Sequence, residues 1–155
     1  MINCDDERAA DWGEQVEARG RQRRLRCLLV EDDFASRLVL QTFLNRYGEC
    51  HIAVNGREAV EAFGSAFEAG RRYDLICMDI MMPEMDGREA VRRIRALEAA
   101  QGILSTSGVK IVMTTAVDDV AEVMRCFQEL CDAYLMKPVD LAQLRNHMRA
   151  FHLIA

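Results

Sequence analysis

Apolar residues recur along this chain in two alternating registers. Leu25 to Val30, Cys50 to Val54, Tyr73 to Met78, Val109 to Thr114 and Ala133 to Met136 are short runs rich in consecutive apolar positions. Such runs, closed by turn residues, predict strands buried on both faces. Between them the apolar positions fall at helical spacing. Leu40, Phe43, Leu44 and Tyr47 mark a helix from Phe34 to Tyr47, stopped by Gly48. Ala59, Val60 and Phe63 mark a second after the cap Asn55, and Val91, Ile94 and Leu97 a third from about Arg88. A fourth follows Asp118 with Val120, Val123, Met124, Phe127 and Leu130; a last follows Asp140 with Leu141, Leu144, Met148 and Phe151. Gly102 to Gly108 is a loop, long for a connection of this kind. Five strands and five helices in strict alternation predict an α/β fold. Its sheet is parallel, with helices on both faces and right-handed crossovers.

Residues 1–24 stand outside this pattern. Asp5, Asp6, Glu7, Asp11, Glu14 and Glu17 fill the first part; Arg19, Arg21, Arg23 and Arg24 fill the second. A charged, flexible N-terminal extension is expected over 1–24, with one folded domain over 25–155. Ala9, Ala10, Trp12, Val16 and Ala18 leave room for a short docking or dimerisation helix there.

Composition narrows the class. At 155 residues, half of them apolar, the chain suits one domain with one core. No apolar run approaches a membrane span, and the acidic start lacks the basic and apolar regions of a signal peptide. Cys4, Cys27, Cys50, Cys77, Cys126 and Cys131 show no CxxC spacing, so reduced structural cysteines in a cytoplasmic protein are expected. A net charge of −5 argues against direct nucleic-acid binding. Of 20 basic residues only Lys110 and Lys137 are lysines, so each invites the question of whether an ammonium is needed there.

The chemistry gathers at strand ends. Strand 1 runs into Glu31-Asp32-Asp33, strand 3 into Asp79, strand 4 into Thr114-Thr115 and strand 5 into Lys137-Pro138. In a parallel sheet these ends share one edge, where open α/β folds place their ligands. Alone, Asp79 is a metal ligand, a nucleophile or an accident. Crowded carboxylates raise one another's pKa unless a cation intervenes, and an all-oxygen set suits Mg²⁺ or Mn²⁺. Acids, a divalent ion, an ammonium and a hydroxyl around one point suit acceptance of a phosphoryl group, with Asp79 as nucleophile. Asp33 reads as a helix cap, and Asp86-Gly87 as turn chemistry.

Val30-Glu31-Asp32-Asp33, the stretch from Met78 to Gly87, Thr115-Ala116 and Tyr134 to Pro138 together resemble the receiver domain of two-component response regulators, over about Leu25 to Phe151. The resemblance implies a flavodoxin-like, doubly wound five-stranded sheet of order 2-1-3-4-5. It implies that Asp79 is the phosphoacceptor. Asp32 and Asp79 then ligate Mg²⁺ directly, Glu31 through water, with the backbone carbonyl of Met81 as a further ligand. Thr115 is the switch hydroxyl, Lys137 the partner of the phosphoryl group, Tyr134 the aromatic switch residue, and the Lys137–Pro138 bond cis. The expected donor is a histidine kinase or phosphotransfer protein. The expected output is a protein partner bound through the fourth helix, fifth strand and last helix. Self-catalysed phosphorylation, rather than enzymatic turnover, is expected, in a stand-alone regulator because no output domain follows the last helix. A homodimer, a phosphorelay intermediate and an unphosphorylated pseudo-receiver scaffold stay open.

The sequence departs from its relatives at Met81 and Val117, two residues beyond the phosphoacceptor and the switch threonine. Neither side chain can orient an attacking water, so a long-lived aspartyl-phosphate is expected. Met81 also counts against a phosphatase of the haloacid-dehalogenase kind, which wants an acid there. Glu31-Asp32-Asp33 counts against a flavin-binding protein, whose phosphate those acids would repel.

Overall fold

The protein is described here by a computed structural model covering residues 24–116 and 130–155. Its strands are β1 (Leu25–Val30), β2 (Gly48–Ala53), β3 (Leu75–Asp79), β4 (Lys110–Thr115) and β5 (Ala133–Met136). Its helices among the described residues are α1 (Phe34–Leu44), α2 (Gly56–Glu68), α3 (Gly87–Ala100) and α4 (Leu141–Ala150). The strands pair in parallel in the order β2-β1-β3-β4-β5, a flavodoxin-like doubly wound sheet. The expected helix after Asp118, with Val120, Val123, Met124 and Phe127, lies outside the described residues. So do Val117, Cys4, Cys126 and nearly all of the N-terminal extension.

Alternation along each strand assigns its side chains to two cores. Leu28, Val30, Ile76, Met78, Ile111 and Met113 face α2 and α3, meeting Phe63, Val91 and Ile94. Leu25, Cys27, Leu29, Leu75, Cys77 and Val112 face α1 and α4, meeting Leu40, Leu44, Leu144 and Met148. β3 lies at the centre and is buried at every position, which is why its sequence reads as an unbroken apolar run into Asp79. No described helix is long and apolar enough to cross a membrane.

Four helices start on side-chain caps. Asp33, Asn55, Asp86 and Asp140 each accept a backbone N–H from the first turn of the helix that follows. Asp86, read above as turn chemistry, is thus also the cap of α3. Gly48 does not merely end α1, whose helical residues stop at Leu44. It opens β2, because a Cβ at that position would strike the backbone of Leu25 on the neighbouring strand. Gly87 is fixed for the same reason: a Cβ there would meet the Asp79 carbonyl, so glycine lets α3 begin against the end of β3.

One apolar stripe is corrected. Leu97 is 38% exposed, while Arg95 and Glu98 are buried with Val91 and Ile94. A buried ion pair turns this face of α3 inward. Arg95 Nη1 donates to Glu98 Oε1 at 2.6 Å and to the Val109 carbonyl at 2.9 Å. Its Nε donates to the Leu130 carbonyl at 2.8 Å, and its Nη2 to Asp132 Oδ2 at 3.1 Å. The Val109 N–H donates to Glu98 Oε2 and the Ile111 N–H to Asp132 Oδ2, both at 2.8 Å. This network ties α3 to the starts of β4 and β5, at the sheet edge opposite Asp79.

Candidate functional site

Parallel pairing brings the carboxyl ends of β1, β3, β4 and β5 to one edge, as the alternation of elements requires. Asp79 is the last residue of β3 and only 4% exposed. Thr114 pairs with it in the β3–β4 register, and the Ile80 N–H donates to the Thr114 carbonyl at 3.0 Å. Glu31 continues β1 and is fully buried, its N–H donating to the Ala53 carbonyl at 3.1 Å. Asp32 is exposed at the mouth. Carboxylate oxygens of Glu31, Asp32 and Asp79 lie within 4.8 Å of one another.

Lys137 reaches this cluster from the end of β5. Its N–H donates to the Thr115 carbonyl at 2.7 Å, and its peptide bond to Pro138 is cis, as the resemblance implied. Its ammonium stands 2.7 Å from Glu31 Oε2 and 3.0 Å from Asp79 Oδ2. Burial disfavours the charged lysine, but hydrogen bonds and charge from Glu31 and Asp79 outweigh it, so its pKa lies above the ordinary value. For Glu31 the balance runs towards the acid form. Burial raises its pKa, Lys137 pulls it down, and the Asp79 carboxylate pushes it up again.

The backbone around the acids is equally fixed. The Met81 N–H donates to Asp79 Oδ1 at 3.2 Å, and the Asp33 N–H to Glu31 Oε1 at 3.2 Å. Asp33 spends its own carboxylate on the Ser36 N–H, 2.9 Å away, which makes it the α1 cap rather than a member of the cluster. Arg37, which sequence reasoning did not single out, donates to the Glu31 carbonyl at 3.2 Å from the first turn of α1. Its spacing from Glu31, six residues across a strand end and a helix start, carries no recognisable signal.

Thr115 is fully buried at the end of β4, next to the Lys137 backbone. Tyr134 pairs with Met113 in the β4–β5 register and packs against the core on the α2–α3 side. Its hydroxyl is buried and finds no hydrogen-bond partner among the described residues, and burial raises its pKa. A side chain with an unpaired buried hydroxyl has a reason to move when its surroundings change. Met81, two residues beyond Asp79, is 62% exposed.

The donor set fits a hard divalent ion. Carboxylate oxygens of Glu31, Asp32 and Asp79 lie together, the Lys137 ammonium contacts Glu31 and Asp79, and the acidic cluster offers oxygen ligands alone. An Mg²⁺ ion there would be held by Asp32 and Asp79 with Glu31 behind, next to a carboxylate able to act as nucleophile.

Fold and site together define a doubly wound α/β domain with an acidic centre and a paired lysine at its sheet edge. The chain matches the model of the response regulator receiver domain over residues 27–149, and it belongs to that family, the receivers of two-component signalling. It is 36% identical over 151 residues to hybrid signal transduction histidine kinase B of Dictyostelium discoideum, covering 94% of this chain and 7% of that protein. It is 34% identical over 127 residues to the response regulator MprA of Mycolicibacterium vanbaalenii, covering 81% and 49%. The chain thus spans less than half the length of these curated relatives. Among solved structures it is similar to the receiver of the Arabidopsis thaliana histidine kinase CKI1 complexed with Mg²⁺ and BeF₃⁻. That match has a TM-score of 0.70 and 34% identity, over 83% of this chain and 89% of that one. It is also similar to the co-crystal structure of the Saccharomyces cerevisiae phosphotransfer protein Ypd1 with the Ssk1 receiver. There the TM-score is 0.69 and the identity 30%, over 83% and 88%.

Proposed function

We propose that Asp79 accepts a phosphoryl group from a histidine kinase or a histidine phosphotransfer protein, in the presence of Mg²⁺. The observation that carries this reading is the gathering of three carboxylates at the carboxyl end of β3, two of them within 3.0 Å of the Lys137 ammonium. The geometry gives each residue a role. An Asp79 carboxylate oxygen forms the new O–P bond as the donor's N–P bond breaks, and the leaving imidazole takes up a proton. Lys137, already 3.0 Å from Asp79, neutralises charge on the incoming group. Mg²⁺, when bound, supplies charge stabilisation to the phosphoryl oxygens. Asp32, Asp79, Glu31 and the Met81 carbonyl are the groups that would hold it. Thr115 would engage the phosphoryl group through its hydroxyl, and Tyr134, with its unpaired hydroxyl, would follow.

The output in this reading is a protein contact made by the segment before β5, β5 itself and α4. No separate substrate is turned over: phosphorylation and hydrolysis of Asp79 are self-catalysed. The described cysteines, Cys27, Cys50, Cys77 and Cys131, form no disulfide, which supports a reducing, cytoplasmic setting. We extend the proposal to a single-domain regulator; a denatured chain mass of 17.6 kDa in extracts supports that, and a larger chain contradicts it.

The similarity to a receiver crystallised with its phosphotransfer partner supports a donor of that kind. The test is transfer from a ³²P-labelled histidine phosphotransfer protein. Label should move to this chain with Mg²⁺, be released by hydroxylamine as an acyl phosphate, and fail to move to Asp79→Asn. Stable label on Asp79→Asn would overturn the assignment.

A further inference from the structure

We propose that Met81 is an oxidisable timer of the phosphorylated state: a hydroperoxide converts its thioether to the sulfoxide, whose oxygen then orients the water that hydrolyses phosphorylated Asp79. The proposal rests on the functional reading above and adds a modification site to it.

Exposure singles out two thioethers. Among the described methionines, Met78, Met113 and Met148 are fully buried, and Met82 and Met85 are half-buried. Met81 is 62% exposed and Met136 51%. Both adjoin the acidic centre along the chain. The Met81 N–H donates to Asp79 Oδ1 at 3.2 Å. Met136 directly precedes Lys137, whose ammonium stands 3.0 Å from Asp79 Oδ2.

The described thiols compete poorly for an oxidant. Cys27 and Cys77 are buried, and Cys50 and Cys131 are half-buried. Burial pushes the Cys27 thiol up to about 12 and the Cys50 thiol up to about 11, and it raises those of Cys77 and Cys131 as well. Little of the reactive thiolate is then present near neutral pH. A thioether has no proton to lose, so access alone decides its oxidation.

Position assigns the effect to Met81. Its flexible side chain hangs from a backbone already bonded to the phosphoryl-accepting carboxylate. Met136 belongs to β5, which β4 separates from β3. In the oxidation step the Met81 sulfur attacks one oxygen of the hydroperoxide and the O–O bond breaks. That oxygen stays on sulfur, which gives up two electrons, and the remainder leaves as water or an alcohol. The side chain changes from an apolar group with a weak acceptor to a polar one with an S=O acceptor. A water bonded to that oxygen attacks phosphorus as the O–P bond to Asp79 breaks. Phosphate leaves, Asp79 regains its carboxylate, and the proton goes to solvent.

The test uses the full chain, treated with hydrogen peroxide, freed of it and labelled with ³²P. Peptide mass mapping locates each added oxygen, and the decay of bound label is followed. Met81 and Met136 should gain oxygen before the other described methionines, and label should decay several-fold faster than in the untreated chain. A methionine sulfoxide reductase should restore the slow decay. Met81→Leu, which lacks the sulfur, should lose the response to peroxide, and Met136→Leu should keep it. Met81→Gln, which carries an oxygen acceptor from the start, should decay fast without peroxide. Oxidation of Met81 with an unchanged decay would overturn the proposal. So would a response that persists in Met81→Leu, or buried methionines that oxidise before Met81. An untreated chain that takes up no label would sink the functional reading and the timer together; label that decays at one rate in oxidised and untreated chains sinks the timer alone.

Discussion

The two edges of the sheet bury charge in opposite ways. At one edge Arg95, Glu98 and Asp132 form a closed set: the guanidinium meets two carboxylates and two carbonyls, and the carboxylates also take two backbone N–H groups. At the other edge the carboxylates of Glu31, Asp32 and Asp79 gather within 4.8 Å of one another, and among the described residues one ammonium, that of Lys137, pairs with Glu31 and Asp79. The first arrangement is complete and has nothing left to bind. The second carries surplus negative charge that only a cation or a change of protonation can relieve. Burial of charge therefore marks architecture in one place and chemistry in the other, and the count of partners tells them apart.

The largest effect should come from opening the closed edge. Arg95→Met leaves Glu98 buried without its cation and Asp132 with Lys110 at 3.7 Å as its remaining one, and should cost about 3 kcal/mol in urea unfolding. The folded fraction should still phosphorylate. A loss below about 1 kcal/mol would mean that the network is not closed in solution.

Next comes the unbalanced edge. Mg²⁺ at a hundred times its dissociation constant should stabilise the protein by about 2.7 kcal/mol. Asp32→Asn, which removes an exposed ligand and leaves the fold alone, should shift that titration to higher Mg²⁺. An unchanged midpoint in thermal melts would remove Asp32 from the site.

Between the edges the buried groups among the described residues are neutral, and pH tests this. Burial, helped by Cys50 and Asp74, pushes the Cys27 thiol up to about 12 from an ordinary 9.0. The unfolded chain gives up that proton near pH 9 while the folded chain keeps it, so stability falls as pH rises above 9. The fall is at most about 1.4 kcal/mol per pH unit for this group, and nothing is lost below pH 8. Cys77 acts in the same direction. Cys27→Val should lose about 1 kcal/mol less than the parent between pH 8 and pH 10. Equal losses would mean that Cys27 ionises in the fold.

The smallest effect should be kinetic. The exposed Met81 side chain, two residues beyond Asp79, has no group that orients a water as an amide or carboxylate would. Met81→Asn should shorten the lifetime of phosphorylated Asp79 several-fold, read from the decay of bound label. A decay already fast in the parent and unmoved by the substitution would show that this position does not set the lifetime.

The chemical edge was legible in the sequence and the closed edge was not. Glu31, Asp79, Thr115 and Lys137 each follow or end an apolar run, so alternation alone sent them to one side of the sheet. Arg95 and Glu98 sit at core positions of the α3 repeat with Val91 and Ile94, but a charged side chain carries no apolar signal, whereas Leu97 does. Their partners, Asp132 and the carbonyls of Val109 and Leu130, come from distant elements, which local spacing does not reveal. Gly48 was misread because a close approach between strands leaves the same mark in sequence as a helix stop.

The central claim is that surplus charge at the β3 edge makes Asp79 a phosphoacceptor. Its most direct test is intact mass after incubation with acetyl phosphate, with and without Mg²⁺, beside Asp79→Ala. The account predicts a Mg²⁺-dependent gain of one phosphoryl group in the parent and none in the variant. No gain with an active donor, or an equal gain in Asp79→Ala, would contradict it.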